Sequence, residues 1–144
     1  MTVIGYFQRI RVLTLVVLVS LFLSACSKSQ PEGDKNAGGP PAYEGYHDIT
    51  NCSSINGWAW DMHRPDEPVK IEIYEGDTLL ATVTADLFRK DLLDAHKGNG
   101  KHGFSYPVPP RLKDGKQHSI REKFAGANID LQFTPKTITC NFDE

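Results

Sequence analysis

Trp58 and Trp60 stand two residues apart in the segment Ile55-Asn56-Gly57-Trp58-Ala59-Trp60-Asp61. In a β-strand, residues i and i+2 point to the same face, so the two indoles lie side by side. If exposed, such a pair forms a flat surface on which sugar rings stack, with Asp61 and Tyr74 as polar contacts, or a hot spot for a protein partner. The other reading is structural. Sandwich cores commonly hold a buried tryptophan, and Ile55, Gly57 and Ala59 on the opposite face would make a thin core. That thinness weighs toward a core position. Trp58, Trp60, Asp61 and Tyr74 are nevertheless the candidate ligand-binding set.

Other chemistry is harder to find. Gly98-Asn99-Gly100-Lys101-His102-Gly103 matches G-x-G-x-x-G, but that motif cradles pyrophosphate only where a strand leads into a helix. Here a helical pattern precedes it and a strand pattern follows, so it reads as a turn. His47, His63, His96, His102 and His118 lack the short spacings that preset a metal site. His102 and His118 would face each other only if their strands paired. Paired-carboxylate catalysis needs two acids across a cleft, yet Glu72, Asp77, Asp114 and Glu122 read as turn or polar-face residues. Asp61 reads as an ion-pair partner of Arg64 or Arg89. No serine or cysteine sits in a recognisable nucleophile setting. No catalytic residue, cofactor or metal is assigned.

The elements that must position these residues are mostly strands. The chain has 144 residues, 40% of them hydrophobic, and a formal net charge of −2. It is sized for one ordinary domain, and its charge gives no reason to expect nucleic acid. Val69, Ile71 and Ile73 alternate with Lys70, Glu72 and Tyr74, and Glu75-Gly76-Asp77 turns the chain back into Leu79–Ala85. His118, Ile120, Glu122 and Phe124 alternate with Ser119, Arg121 and Lys123. Shorter candidates are Ser53–Trp60, His102–Val108, Ile129–Phe133 and Lys136–Asn141. About seven short strands separated by turns predict an all-β sandwich. From Asp86 to Ala95, the spacing of Phe88, Leu92 and Ala95 predicts a short crossover helix with Asp86 as N-cap and Gly98 as stop.

At the N-terminus, Arg9 and Arg11 precede an apolar run, Val12–Leu23. As a helix that run spans roughly 18 Å, short of a hydrocarbon core of about 30 Å, and it suits an export signal. Its end, Leu23-Ser24-Ala25-Cys26, resembles the lipobox of bacterial lipoproteins. The resemblance implies cleavage of residues 1–25 and acylation of Cys26 with palmitate or a similar chain. Serine at position 27, where an aspartate would resemble an inner-membrane retention signal, implies the outer membrane. Residues 27–42 read SKSQPEGDKNAGGPPA, a linker too polar to bury a core. Residues 43–142 are the expected folded domain.

Export also bears on the other two cysteines. Cys52 and Cys140 frame the domain, and an oxidising compartment allows them to join; two buried free thiols are the alternative. Finally, Cys52-x-x-Ile55-x-Gly57-Trp58-Ala59-Trp60-Asp61, Pro68-Val69, Ile73-Tyr74-x-Gly76, Leu80-Ala81-Thr82-Val83, Phe88-Arg89-x-Asp91-Leu92, Gly98-x-Gly100-x-His102-Gly103-Phe104 and Leu112-x-Asp114-Gly115-x-x-His118-x-Ile120 resemble a small bacterial secreted module. It is immunoglobulin-like and recurs as an accessory domain in exported proteins, some of them sugar-active. The resemblance implies architecture and no activity. The combined expectation is a monomeric, lipid-anchored envelope module, non-catalytic, binding a glycan or an envelope protein. A small envelope hydrolase and a purely structural lipoprotein are the alternatives.

Overall fold

The computed structural model describes residues 39–142; the expected signal segment, Cys26 and the linker as far as residue 38 lie outside them. Eight strands form two antiparallel four-stranded sheets. The first has the order β1 (Tyr43–Thr50), β2 (Ser54–Asp61), β6 (Lys101–Pro107) and β5 (Leu87–Phe88). The second has the order β4 (Thr78–Ala85), β3 (Val69–Glu75), β7 (Gln117–Phe124) and β8 (Lys136–Thr139). With β4 taken as the extra strand beside the third, this is the immunoglobulin arrangement. The fold is an all-β sandwich.

Alternation explains most of the elements. Ile71 and Ile73 of β3 and Ile120 and Phe124 of β7 face the core, with Lys70 and Ser119 next to them exposed and Glu72 and Arg121 half-buried on the other face. β1 was not expected as a strand, because its core-facing residues include Gly45 and His47 rather than a run of aliphatics. It forms because antiparallel pairing with β2 satisfies its backbone from Tyr43 to Thr50. In β4, a register shift opposite Ile73 and Tyr74 leaves Leu80 packed on the core and Leu79 about half exposed. Ile129–Phe133, expected as a strand, contributes only isolated bridges, at Asp130 to β7 and at Gln132 to β1.

The inner face of β2 is as thin as its sequence suggests. Ile55 and Ala59 are fully buried between the sheets, and Gly57 leaves room for Phe104. A Cβ on Gly57 would lie 2.6 Å from Phe104 Cζ and 2.4 Å from the Tyr46 carbonyl oxygen, closer than real Cβ atoms approach. Tyr43 stacks on Phe124 with ring centroids 4.5 Å apart, closing one end of the core.

The crossover helix is shorter than the expected 86–95. α1 spans Lys90–Asp94, with Arg89 rather than Asp86 at its N-cap. Leu87 and Phe88 instead pair with β6, and Arg89 N–H donates to the Gly100 carbonyl, which holds the chain extended up to the cap. Of the expected apolar face only Leu92 is buried; Phe88 and Ala95 are exposed. The residue that stops the helix is His96, not Gly98. His96 has φ 58°, its N–H donates to Leu93 O, and Lys97 N–H donates to Leu92 O, the pairing of a Schellman motif.

Cys52 lies in the turn between β1 and β2, and Cys140 directly after β8. Their sulfurs are 2.14 Å apart, a disulfide that ties one sheet to the other across 88 positions of sequence. Closing a loop of that length stabilises the fold by about 4–5 kcal/mol in the chain-entropy model. Replacing both cysteines by alanine should therefore lower the unfolding free energy measured in urea by several kcal/mol, with a lower midpoint, and adding reductant to the wild type should do the same. An unchanged midpoint in both cases would show that the cross-link contributes nothing.

Candidate functional site

Trp58 and Trp60 do share one face, as the spacing requires, and it is the outer face of the first sheet. The sugar-stacking platform is not open there. Trp58 is 8% and Trp60 7% exposed, in a small cluster with Leu92 of α1 and Tyr46 of β1. Tyr46 stacks on Trp58 with centroids 5.0 Å apart and planes at 18°. Trp60 Nε1 donates to the Pro65 carbonyl at 3.1 Å. Lys97, just past the helix, holds its ammonium 4.8 Å from the Trp60 ring and 5.8 Å from the Trp58 ring, and pairs with Glu44 of β1. Two large aromatic surfaces on a sheet's solvent side need a cover, and the crossover segment supplies it.

The glycines of the G-x-G-x-x-G sequence belong to that cover. Gly98 has φ 51°, and a Cβ there would fall 1.6 Å from the Pro65 carbonyl oxygen that also receives the Trp60 N–H. A Cβ on Gly103 would meet the Arg89 side chain at 2.8 Å. Arg89 lies across β6 at this point and pairs with both Asp48 and Asp91.

The remaining members of the expected ligand set do not converge on the indoles. Asp61 is buried at the end of β2 and accepts hydrogen bonds from Ala42 N–H at 2.9 Å, His63 N–H at 3.0 Å and Arg64 Nε at 2.8 Å. Burial alone would raise its pKa, but these bonds and the Arg64 charge hold it below the ordinary carboxylate value. Its ion pair is with Arg64, not Arg89. Tyr74 sits on β3 in the other sheet and donates to Glu72 at 2.9 Å, a bond that raises the phenol's pKa. His102 and His118 lie on β6 and β7, in different sheets, so they cannot pair as strand neighbours. Among the described residues, no group of three potential ligands is placed to hold a metal.

The aromatic row does reach solvent at its other end. Phe133 is 69% exposed and its ring lies 5.3 Å from that of Tyr46. It has φ 63°, a left-handed conformation that costs a side-chain-bearing residue roughly 1–2 kcal/mol. The flanking backbone holds it there. Gln132 accepts from His47 N–H and donates to the Gly45 carbonyl, both at 2.9 Å. The Thr134 hydroxyl accepts from Glu122 N–H at 2.9 Å. Ile49, 59% exposed, is opposite Asn56 in register and so shares the outer face with Trp58. Phe133, Tyr46 and Ile49 thus form an apolar ledge, edged by the Asp48–Arg89–Asp91 ion pairs. The sequence offers no signal for Phe133, since neither its residue type nor its neighbours announce a left-handed position.

Beneath the ledge lies a buried acid. Glu122 and His47 are both fully buried, with Glu122 Oε1 3.6 Å from His47 Nε2. Both Glu122 carboxyl oxygens lack a hydrogen-bond partner. His47 meets the Thr134 hydroxyl at 3.3 Å through Nδ1 and Thr50 through Nε2. Burial, with a smaller push from Asp48 and against the pull of Lys136, raises the Glu122 pKa to about 9. Burial and Lys136 lower His47 to about 4. At neutral pH the two are therefore an uncharged acid beside an uncharged imidazole, not an ion pair. The expectation that Glu122 lies on a polar strand face is wrong. Its parity with Ile120 and Phe124 already placed it inward.

Comparison with known proteins adds little here: no family model and no curated protein matches the chain. Among solved structures it is similar to an engineered protein whose crystal structure is known, with 12% identity and a TM-score of 0.30. That match covers 72% of this chain and 21% of the other, so this chain spans about a fifth of that protein's length.

The buried pair fixes a pH dependence. In the unfolded chain Glu122 ionises near its ordinary value, whereas the folded protein keeps the proton to about pH 9. Its contribution therefore falls as pH rises through that window, by about 1.4 kcal/mol per unit at most. His47 acts in the opposite sense between its folded value of about 4 and its unfolded 6.5, so above that point Glu122 acts alone. Glu122→Gln should gain on the order of 2 kcal/mol relative to wild type on going from pH 6.5 to pH 8.5 in urea unfolding. Parallel pH curves for the two proteins would refute the buried neutral acid.

Proposed function

We propose that this protein is a non-catalytic interaction module of the bacterial envelope, anchored in the outer membrane by lipid on Cys26, which presents the Phe133–Tyr46–Ile49 ledge to an envelope protein. The lipobox-like Leu23-Ser24-Ala25-Cys26 supports the anchor. The disulfide between Cys52 and Cys140 fits an exported chain. The single observation that carries the binding site is Phe133, in tilted ring contact with Tyr46, exposed, and fixed in a costly backbone conformation. Strain of that kind concentrates at functional sites, and exposed aromatics are typical interface anchors.

A protein partner is favoured over a glycan by the polar groups around the ledge. Sugar recognition needs free hydrogen-bonding groups beside the stacking ring. Here Asp48 is paired with Arg89, and Glu44 with Lys97. The hydrolase alternative draws no support from Asp61, whose carboxylate is committed to Ala42, His63 and Arg64.

The test is a photo-crosslinking residue at position 49 of the full chain, expressed in cells. A discrete adduct is expected in the membrane fraction, reduced at least about tenfold by Phe133→Ala, the loss typical of an anchor residue. Cys26→Ala should move the chain out of that fraction and abolish palmitate labelling. An adduct indifferent to Phe133, or Phe133-dependent binding to isolated envelope glycans instead, would overturn the protein-partner reading.

A further inference from the structure

Residues 89–100, the segment that covers the indoles, are bonded to themselves rather than to the sheet beneath them. Arg89 N–H donates to the Gly100 carbonyl and closes a neck. Between these two residues every backbone hydrogen bond stays inside the segment, from Leu93 N–H on Arg89 O to Gly100 N–H on Lys97 O. A compact loop with joined ends is an Ω-loop, a form often used for function. It can swing on its neck while the pairing of β5 with β6 stays whole. His96, Gly98 and Gly100, with φ of 58°, 51° and 75°, make its returning arm a run of left-handed turns. Side chains hold it down: Leu92 on the tryptophans, Lys97 on Glu44, and Asn99 Nδ2 on the Asp66 carbonyl at 3.2 Å.

A buried imidazole lies where this arm meets the turn after β2. His102 is fully buried, and neither of its ring nitrogens has a hydrogen-bond partner. A Cβ on Gly98 would stand 2.9 Å from His102 Nε2, so the arm rests directly on the ring. The Pro65 carbonyl is near, but it already receives the Trp60 N–H. Asp66, from the same turn, is the acid that faces the ring. Other charges are turned elsewhere: β4 and β5 carry none, and His96 and Lys101 are exposed. Arg64 is engaged with Asp61 and Glu67, and Lys97 with Glu44. Burial outweighs the pull of Pro65 and Asp66 and keeps the imidazole's pKa below its ordinary value. An apolar side chain would fill this place without an unpaired donor and acceptor.

We infer that residues 90–99 form a lid that opens in acid, when His102 takes up a proton, and uncovers Trp58 and Trp60. An imidazolium has two N–H donors to satisfy, and the closed seam offers neither of them a free acceptor. Opening gives both to water. The open form binds the proton at the ordinary histidine value of 6.5, and the closed form binds it only at lower pH. Acid therefore favours opening, by up to about tenfold for each pH unit below 6.5. Arg89 stays at the neck with Asp48, so the edge of the Phe133 ledge is kept. The protein thus withholds an aromatic face at neutral pH and presents it in acid.

The experiment is hydrogen exchange by mass spectrometry on the full chain in detergent micelles at pH 7.5, 6.5 and 5, corrected for the intrinsic rate. Peptides from 90–99 should exchange faster below pH 6.5, by several-fold and at most about tenfold per unit. β3 and β7, which report the whole fold and with it any effect of His47, should stay protected. Acrylamide quenching of the tryptophans should rise over the same range with no change in the far-UV circular dichroism. In His102→Gln and His102→Leu both rises should vanish. The NMR titration of the His102 ring should follow the same curve, which keeps the test decisive even if neither variant folds. Exchange at 90–99 that is flat with pH, that rises together with β3 and β7, or that rises equally in a folded His102 variant would overturn the lid. A ring titration that does not track the exchange would overturn it too.

Discussion

The arrangement of the whole molecule depends on how β2 divides its side chains between two faces. Its inner face offers Ile55, Gly57 and Ala59, small enough for Phe104 and Phe124 to fill the space between the sheets. Its outer face carries both tryptophans. Burying two indoles is worth roughly 4–6 kcal/mol each as an upper figure, and leaving them in water would forfeit it. The crossover between the sheets is therefore drawn over the outside of the first sheet. Leu92, Lys97 and the glycine-containing loop all serve that cover.

Continuing the same row outward gives the candidate site. Tyr46 stacks on Trp58 from β1, and Phe133 leans on Tyr46 from a segment that bridges both sheets. Thr134 links this segment to the backbone of Glu122 and the ring of His47. A buried layer, tied by Thr134 to two strands, thus lies directly under an exposed ring, the kind of support that lets a binding surface hold an aromatic anchor without losing affinity to its own disorder.

Much of the fold was legible in the sequence, because β3 and β7 alternate cleanly and β2, β4 and β6 are short apolar runs set between turns. β1 was not, since glycine and histidine replace aliphatic residues on its core face. The helix pattern over 86–95 was real but overlong, as pairing of Leu87 and Phe88 with β6 outweighed a helical spacing of only three apolar residues. The tryptophans were correctly put on one face. Periodicity distinguishes only a core face from an exposed platform, whereas the chain uses a third arrangement, a cover of its own on the outside of the sheet. That contact joins residues far apart in sequence and leaves no periodic trace. The Phe133 conformation likewise depends on bonds made by Gln132 and Thr134 to distant strands.

The claim most open to direct attack is that the crossover segment seals the two indoles. Trp58 and Trp60 are the two tryptophans of the chain, so emission and acrylamide quenching report on them alone. A blue-shifted emission that resists quenching in the folded protein, and that turns red and quenchable in Leu92→Ala, is expected. A red-shifted, freely quenched emission in the wild type would contradict the account and return the indoles to solvent as an open platform.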